Sequence, residues 1–100
     1  MKNFIITYNF TEGTEADWHA EINKFIAAVE ADPELQGNIS YTCYKSTKGP
    51  EYYHMVTVAD ENIPKILGER DFFKHYTEKT EWVGGGNVQV TPIEQIASTK

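Results

Sequence analysis

The sequence is poor in cysteine, in basic residues and in long apolar runs, and each shortage excludes a class of protein. Its single cysteine, Cys43, cannot form a disulfide within the chain, which favours a reducing compartment and predicts a cytoplasmic location. Nine Lys and Arg stand against fifteen Asp and Glu, so a basic surface for nucleic acid or for an anionic membrane is not expected. No apolar run is long enough for a membrane-spanning helix or for a signal peptide.

Candidate metal ligands of the Cys and His type are also few. One Cys and three scattered His cannot supply the four clustered ligands of a structural zinc site, and we predict neither a metal nor a cofactor. One hundred residues predict a single domain, residues 1–100. A chain of this size buries a modest core, so a partner subunit would stabilise it.

A helix that follows Thr14 has the strongest pattern in the chain. Thr14 is a suitable N-cap residue, and Pro33 marks the end of the helix. Between them, apolar residues recur at helical spacing: Trp18, Ile22, Phe25, Ile26 and Val29. The pattern predicts an amphipathic helix that packs one face on the core.

Four segments rich in β-branched and aromatic residues predict strands, over residues 3–11, 37–46, 52–59 and 87–95. Gly49 and Pro50 supply a turn between the second strand and the third. Before the fourth strand, the pattern predicts a short helix over 62–68 and another from about 71 to 81.

This order, β-α-β-β-α-β, predicts the ferredoxin-like class of α+β fold: an antiparallel sheet with helices on one face. The first strand carries apolar groups on both sides, with Phe4 and Ile6 on one and Ile5 on the other. A sheet with an open apolar face needs a cover. A second copy of the same sheet is the simplest one, so we predict a homodimer.

Four short segments carry a family resemblance: "FTEG" (10–13), "GNISYTCY" (37–44), "MVTVADENIPKI" (55–66) and "RDFFKHY" (70–76). Each is similar to a feature shared by one known family of proteins. In the same order, these features are a glycine after the first strand, a Gly-x-hydrophobic-Ser-Tyr segment, the passage from the third strand into the second helix, and a turn and helix that contain Phe. In these features the chain resembles the antibiotic-biosynthesis-monooxygenase type of dimeric α+β barrel. The resemblance covers nearly the whole chain.

The resemblance implies a homodimer whose sheets pack face to face, with a cavity in each subunit between the sheet and its helices or loops. Members of the family include oxygenases that act on polycyclic phenols or quinols without metal or flavin, and haem-degrading enzymes. The Trp that lines the pocket of many members falls on Ala59 here. The Asn and His of the haem-degrading members fall on Ile6 and Thr77, so haem degradation is not expected.

His75 is the first candidate catalytic residue. Along the predicted helix it lies one turn from Asp71 and from Glu78, and Trp82 lies one further turn beyond Glu78. One hypothesis is an exposed histidine with weak ion pairs. The other is a general base at a pocket rim, with Trp82 or Phe73 as an aromatic wall.

The third strand supplies further candidates. Alternation puts His54 on one face, as a helix-side or edge histidine without a catalytic role, and puts four residues on the other. The resemblance turns that other face toward the cavity, because Ala59 occupies the position of the pocket Trp. Its members are Tyr53, Met55, Thr57 and Ala59.

The resemblance makes Met55, Thr57 and Ala59 substrate-pocket residues, together with Phe73 and Trp82. Tyr53 either donates a hydrogen bond to a phenolic ligand or only packs across the strands. Asn9 either orients a substrate carbonyl or lies at the solvent-exposed end of the first strand.

Two functions follow from these observations. The first is a cofactor-independent monooxygenase, a homodimer that binds an aromatic or quinol-like molecule, with His75 as base and Tyr53 or Asn9 as donor. The second is a non-catalytic dimeric module that binds a ligand or responds to stress. Ala59 in place of the pocket Trp favours the second.

Overall fold

The computed structural model describes residues 1–99, which form seven elements in one layer of sheet and one of helices. In chain order they are β1 (Lys2–Asn9), α1 (Glu15–Ala31), β2 (Ile39–Lys45), β3 (Glu51–Val58), α2 (Asn62–Gly68), α3 (Asp71–Val83) and β4 (Gln89–Ile93). The predicted α+β, ferredoxin-like arrangement is confirmed. In this part of the chain, no helix is both long and apolar enough to cross a membrane.

The ends of two strands differ from the prediction for identifiable reasons. β1 stops at Asn9 because the next two amides leave the ladder: the Phe10 N–H donates to the Pro50 carbonyl and the Thr11 N–H to the Val83 carbonyl. β4 begins at Gln89 and ends at Ile93, since it pairs only with the Asn3–Thr7 stretch of β1. The predicted N-cap of α1 is present, with the Thr14 Oγ1 accepting from the Asp17 N–H at 3.2 Å.

The sheet is antiparallel and has the order β2-β3-β1-β4, with β3 and β1 in the centre. Alternation along β3 sends even-numbered side chains toward the helices, and these are buried: Tyr52, His54, Val56 and Val58. The odd-numbered side chains lie on the face that no helix covers. This helix-free face exposes several apolar groups: Tyr44, Tyr53, Met55 and Ile93.

The core lies between the sheet and α1 and α3, and it is mostly aromatic. Tyr76 of α3 stacks on Phe25 of α1, with ring centroids 3.9 Å apart, and on Trp18 at 5.6 Å. Trp18, His54 and Val58 are among the residues with almost no exposed surface. A salt bridge joins the residue before α3 to the residue after α1: Arg70 Nε donates to Asp32 Oδ2 at 2.7 Å.

Gly13, the glycine of the "FTEG" segment, has a conformation that only glycine adopts easily. Its φ is +87°, and a Cβ added there would lie 2.9 Å from the Trp82 ring. Gly37 also has a positive φ, +77°, but a Cβ there would meet open space. The two sites therefore separate backbone strain from a steric clash.

We expect Gly37→Ala to lower the free energy of unfolding by roughly 1–2 kcal/mol from the left-handed backbone alone. Gly13→Ala should lose more, because its methyl group must also displace Trp82. Thermal unfolding measures both, since about 1 kcal/mol shifts the Tm of a domain this size by roughly 4–8 °C. Equal losses of unfolding free energy in the two variants would show that the Trp82 ring makes room for the new methyl group without cost.

Candidate functional site

A cavity of about 270 Å³ lies between the helix side of the sheet and helices α2 and α3. We call it the helix-side cavity. Its walls come from β1, β3, α2, α3 and the segment around β4, and most of them are apolar. Wall residues include Phe4, Ile6, Val56, Val58, Leu67 and Phe73. Small-molecule sites are of this kind, apolar with a few placed polar groups.

The polar side chains that line the helix-side cavity are Tyr41, Tyr76, Thr77, Thr80 and the exposed Glu81. The two threonine hydroxyls donate to backbone carbonyls of their own helix, which leaves two tyrosine hydroxyls on what we call the cavity floor. Tyr41 of β2 and Tyr76 of α3 both line it, and their hydroxyl oxygens lie 3.1 Å apart. Behind them is His54, which has no exposed surface. Its Nδ1 lies 2.8 Å from the Tyr41 hydroxyl and 3.4 Å from the Tyr76 hydroxyl.

The second ring nitrogen of His54 extends these contacts away from the cavity. Nε2 lies 2.8 Å from the Tyr8 hydroxyl of β1, and the Trp18 Nε1–H of α1 donates to that hydroxyl at 2.8 Å. We call these five residues, Trp18, Tyr8, His54, Tyr41 and Tyr76, the His54 network. Both ring nitrogens of His54 have partners, as a fully buried imidazole requires.

Burial keeps every titratable group of the His54 network neutral. It lowers the pKa of His54 to about 4, because a charged imidazolium would lose its hydration there. It raises the pKa of Tyr8, Tyr41 and Tyr76 far above the usual value for a phenol, for the same reason. At pH 7 the cavity floor is therefore a set of uncharged hydrogen-bonding groups.

Four residues predicted from the third strand do not lie in this cavity. Tyr53, Met55 and Thr57 are on the helix-free face, and Ala59 lies beyond the end of β3, exposed. The predicted alternation is confirmed, and His54 lies on the helix side, one of its two predicted positions. The helix-side cavity is on that same face of β3, where Val56 and Val58 line it. Of the predicted pocket residues, Phe73 lies in the cavity wall.

The other predicted residues divide between two surface depressions. Asn9 is exposed, and it borders an open depression together with Tyr53 and Gln89. His75 and Trp82 border another with Glu78 and Lys79, on the outer side of α3. The structure thus brings Asn9 and Tyr53 together, but puts neither beside His75.

His75 has a different ion-pair partner from those predicted. Its Nε2 lies 3.4 Å from Glu21 Oε2 of α1, and its side chain is half exposed. An exposed pair of this kind contributes little to stability. The geometry agrees with the hypothesis of an exposed histidine rather than with a base at the rim of the helix-side cavity.

The His54 network contains the residues that sequence reasoning missed. One signal could have found it: His54 shares its face of a central strand with Tyr52, Val56 and Val58, so it had to be buried and needed partners. Which tyrosines supply those partners depends on contacts between β1, β2 and α3, far apart in sequence. In residues 1–99, no three His, Cys, Asp or Glu side chains lie close enough together to hold a metal ion.

Solved structures of similar shape include proteins described as monooxygenases. A crystal structure described as an antibiotic biosynthesis monooxygenase superposes with a TM-score of 0.78 at 10% identity, covering 97% of this chain and 100% of that one. SnoaB from Streptomyces nogalater, described as a cofactor-independent oxygenase, gives 0.76 at 10% identity, covering 97% and 94%.

A third similar structure is described only as a conserved protein from Methanosarcina mazei. It gives a TM-score of 0.74 at 14% identity, covering 94% of this chain and 91% of that one. No protein-family model matches the sequence, and no curated protein does either. At these identities similarity of shape defines the fold and leaves the activity open. The chain has the antibiotic-biosynthesis-monooxygenase type of α+β fold, as the sequence resemblance predicted.

Proposed function

We propose that the helix-side cavity binds a small aromatic molecule with a carbonyl or phenolic oxygen, and that the protein oxidises such a molecule with O2 without a cofactor. The observation that carries the proposal is a fully buried histidine joined to two tyrosine hydroxyls on the floor of an apolar cavity. The fold shared with SnoaB, described as a cofactor-independent oxygenase, supports the same class of reaction.

The hydroxyls of Tyr41 and Tyr76 would hold the ligand oxygen, while the apolar walls exclude water. A hydrogen bond to a developing oxyanion is strong in such a site, because little solvent competes for it. Phe73 supplies an aromatic part of the cavity wall. In this proposal Tyr41 and Tyr76 take the donor role that was predicted for Tyr53 or Asn9, and no residue takes the role of base that was predicted for His75.

The low basicity of His54 limits the substrates that could react. Moving a proton from a phenol with a pKa near 10 to an imidazole with a pKa of about 4 costs about 8 kcal/mol. An ordinary phenol would therefore stay protonated. We expect a substrate that ionises near neutral pH by itself, whose anion the tyrosine hydroxyls then stabilise.

In the reaction we propose, the substrate supplies all the electrons. The substrate ionises by losing a proton to solvent from a ring CH2 group that is conjugated with its carbonyl oxygen. That carbon then reacts with O2 and becomes a second carbonyl, and both hydrogens leave in one water: CH2 + O2 → C=O + H2O. The CH2 carbon is oxidised by four electrons and O2 is reduced by four. The protein contributes the dry cavity and the hydrogen bonds.

Oxygen consumption tests this proposal. With a panel of hydroxyarenes and anthrone-type compounds in an oxygen electrode, the wild-type protein should consume O2 with at least one of them. The double variant Tyr41→Phe/Tyr76→Phe keeps both rings but removes both hydroxyls, and we expect it to lose about 100-fold or more in rate. His75→Asn is the matched control and should keep the wild-type rate.

A rate that survives in the double variant and falls in His75→Asn would move the site to the outer side of α3. Binding of panel members without any O2 consumption would favour the second function, a non-catalytic ligand-binding module. The low pKa of His54 favours this non-catalytic function, because it makes His54 a weak base.

We also propose that the protein is a homodimer joined through the helix-free face. That face exposes Tyr44, Tyr53, Met55 and Ile93, and a second copy of it would bury them symmetrically. A cytoplasmic location belongs to the same proposal, since Cys43 is a free thiol in a chain with no disulfide.

A further inference from the structure

The hydrogen bonds of the His54 network donate in one direction, from Trp18 toward the helix-side cavity, and Trp18 determines that direction. An indole N–H can only donate, so the Tyr8 oxygen accepts from Trp18 Nε1 at 2.8 Å. The Tyr8 hydrogen is then free to point at His54 Nε2, also 2.8 Å away. Nε2 is therefore the bare nitrogen of the neutral ring, and the ring proton is on Nδ1.

The same direction continues to the cavity. The Nδ1–H of His54 donates to the Tyr41 oxygen at 2.8 Å, and one of the two hydroxyls on the floor donates to the other at 3.1 Å. Five groups carry five hydrogens, but they form a chain of four short bonds. One hydroxyl hydrogen of Tyr41 or Tyr76 is left for a ligand.

Two observations bear on that last hydrogen. Tyr41 and Tyr76 both line the helix-side cavity, so the hydrogen can reach a ligand there. The Cys43 thiol also interacts with Tyr76, but sulfur is a weak acceptor that a ligand oxygen would displace.

Donation in the opposite direction, from the cavity toward Trp18, is unfavourable where Tyr8 meets Trp18. If His54 carried its proton on Nε2, it would donate to Tyr8, and the Tyr8 hydrogen would face the Trp18 N–H with no acceptor. Two buried donors would then oppose each other, which is strongly unfavourable. Without the indole N–H, both directions become possible.

We propose that Trp18 is a positioning residue that keeps the cavity end of the His54 network a hydrogen-bond donor, and so selects ligands that present an acceptor oxygen. The choice of ligand rests on the proposed function. The tautomer of His54 does not, because it is a property of the protein without ligand.

The ring nitrogens of His54 report the direction of the network. In ¹⁵N NMR of the full chain, with His54→Gln used for assignment, we expect a bare Nε2 and a protonated Nδ1 at pH 7. Trp18→Phe should give a mixture of tautomers. Tyr8→Phe breaks the same link while keeping the indole, so it serves if Trp18→Phe does not fold. Trp82→Phe, which changes the exposed Trp, should leave the spectrum unchanged.

Three probes of nearly equal size test the choice of ligand. They are 1-indanone with a carbonyl acceptor, indole with an N–H donor, and indane with neither. In calorimetric titrations the wild-type protein should bind 1-indanone about tenfold more tightly than indole, a difference of about 1.4 kcal/mol. The bound carbonyl should show a lowered infrared stretching frequency. In Trp18→Phe or Tyr8→Phe we expect the preference to shrink to about threefold or less.

A protonated Nε2 in the wild-type protein would overturn the inference, as would an unchanged tautomer in both Trp18→Phe and Tyr8→Phe. A tautomer that depends on Trp18, found together with no binding of any probe, would support the positioning role and count against the proposed function instead.

Discussion

The wild-type protein is expected to lose about 3 kcal/mol of unfolding free energy between pH 6.5 and pH 4 through His54 alone. His54 has no exposed surface, and burial lowers its pKa from 6.5 in an unfolded chain to about 4 in the folded one. Over that window the unfolded state binds the extra proton. Stability is therefore complete above pH 6.5 and falls as the pH falls.

His54→Gln removes the titration, so its unfolding free energy should vary less with pH. Between pH 6.5 and pH 4, the difference in unfolding free energy between the wild type and His54→Gln should shrink by about 3 kcal/mol. Urea unfolding at each pH measures it. The carboxyl groups titrate in both proteins and cancel in the difference. His75→Gln, which changes the half-exposed histidine, should keep the steep slope.

Parallel curves for wild type and His54→Gln would contradict the burial of a neutral His54. In that case the hydroxyl partners of the His54 network would have to be arranged differently, and the donor that we assign to the cavity floor would lose its basis.

Met55→Glu is expected to convert the proposed homodimer into monomers. Met55 lies on the central strand β3, on the helix-free face that the second copy would cover. In a symmetric interface the substitution buries two carboxylates without partners, which costs several kcal/mol. We expect the dissociation constant to rise about 100-fold or more.

Analytical ultracentrifugation over a range of concentrations measures this change. Ala27→Glu, which adds the same charge on an exposed position of α1, should leave the dimer intact. Circular dichroism checks that Met55→Glu retains its fold. A wild-type protein that stays monomeric at high concentration, or a Met55→Glu variant that still dimerises, would contradict the proposed interface.

Most of the fold was predictable, because periodicity is a local property. The helical spacing from Trp18 to Val29 and the alternation along β3 follow from the contacts that each element makes with a single core. The strand ends were less predictable. β1 ends where Phe10 and Thr11 donate to Pro50 and Val83, and no local pattern marks those distant partners.

The site was only partly predictable, because the five residues of the His54 network come from five separate elements. Alternation placed His54 with its buried neighbours, yet its two tyrosine partners at Nδ1 come from β2 and α3. His75 stood out in the sequence because of its acidic and aromatic neighbours. In the structure those neighbours share a helix, while the ion-pair partner Glu21 comes from α1.

One binding measurement tests most directly whether the helix-side cavity is the functional site. The probe is 1-naphthol, titrated into the full chain with NMR detection. Val90 is exposed at the rim of the cavity, so Val90→Trp should close the entrance without disturbing the core. His75→Trp places the same side chain on the outer side of α3.

We expect 1-naphthol to shift the signals of Phe73 and Tyr76 in the wild-type protein and in His75→Trp. In Val90→Trp it should bind at least about tenfold more weakly. Binding that is unchanged in Val90→Trp and lost in His75→Trp would contradict the account, and would place the functional site beside His75 and Trp82 instead.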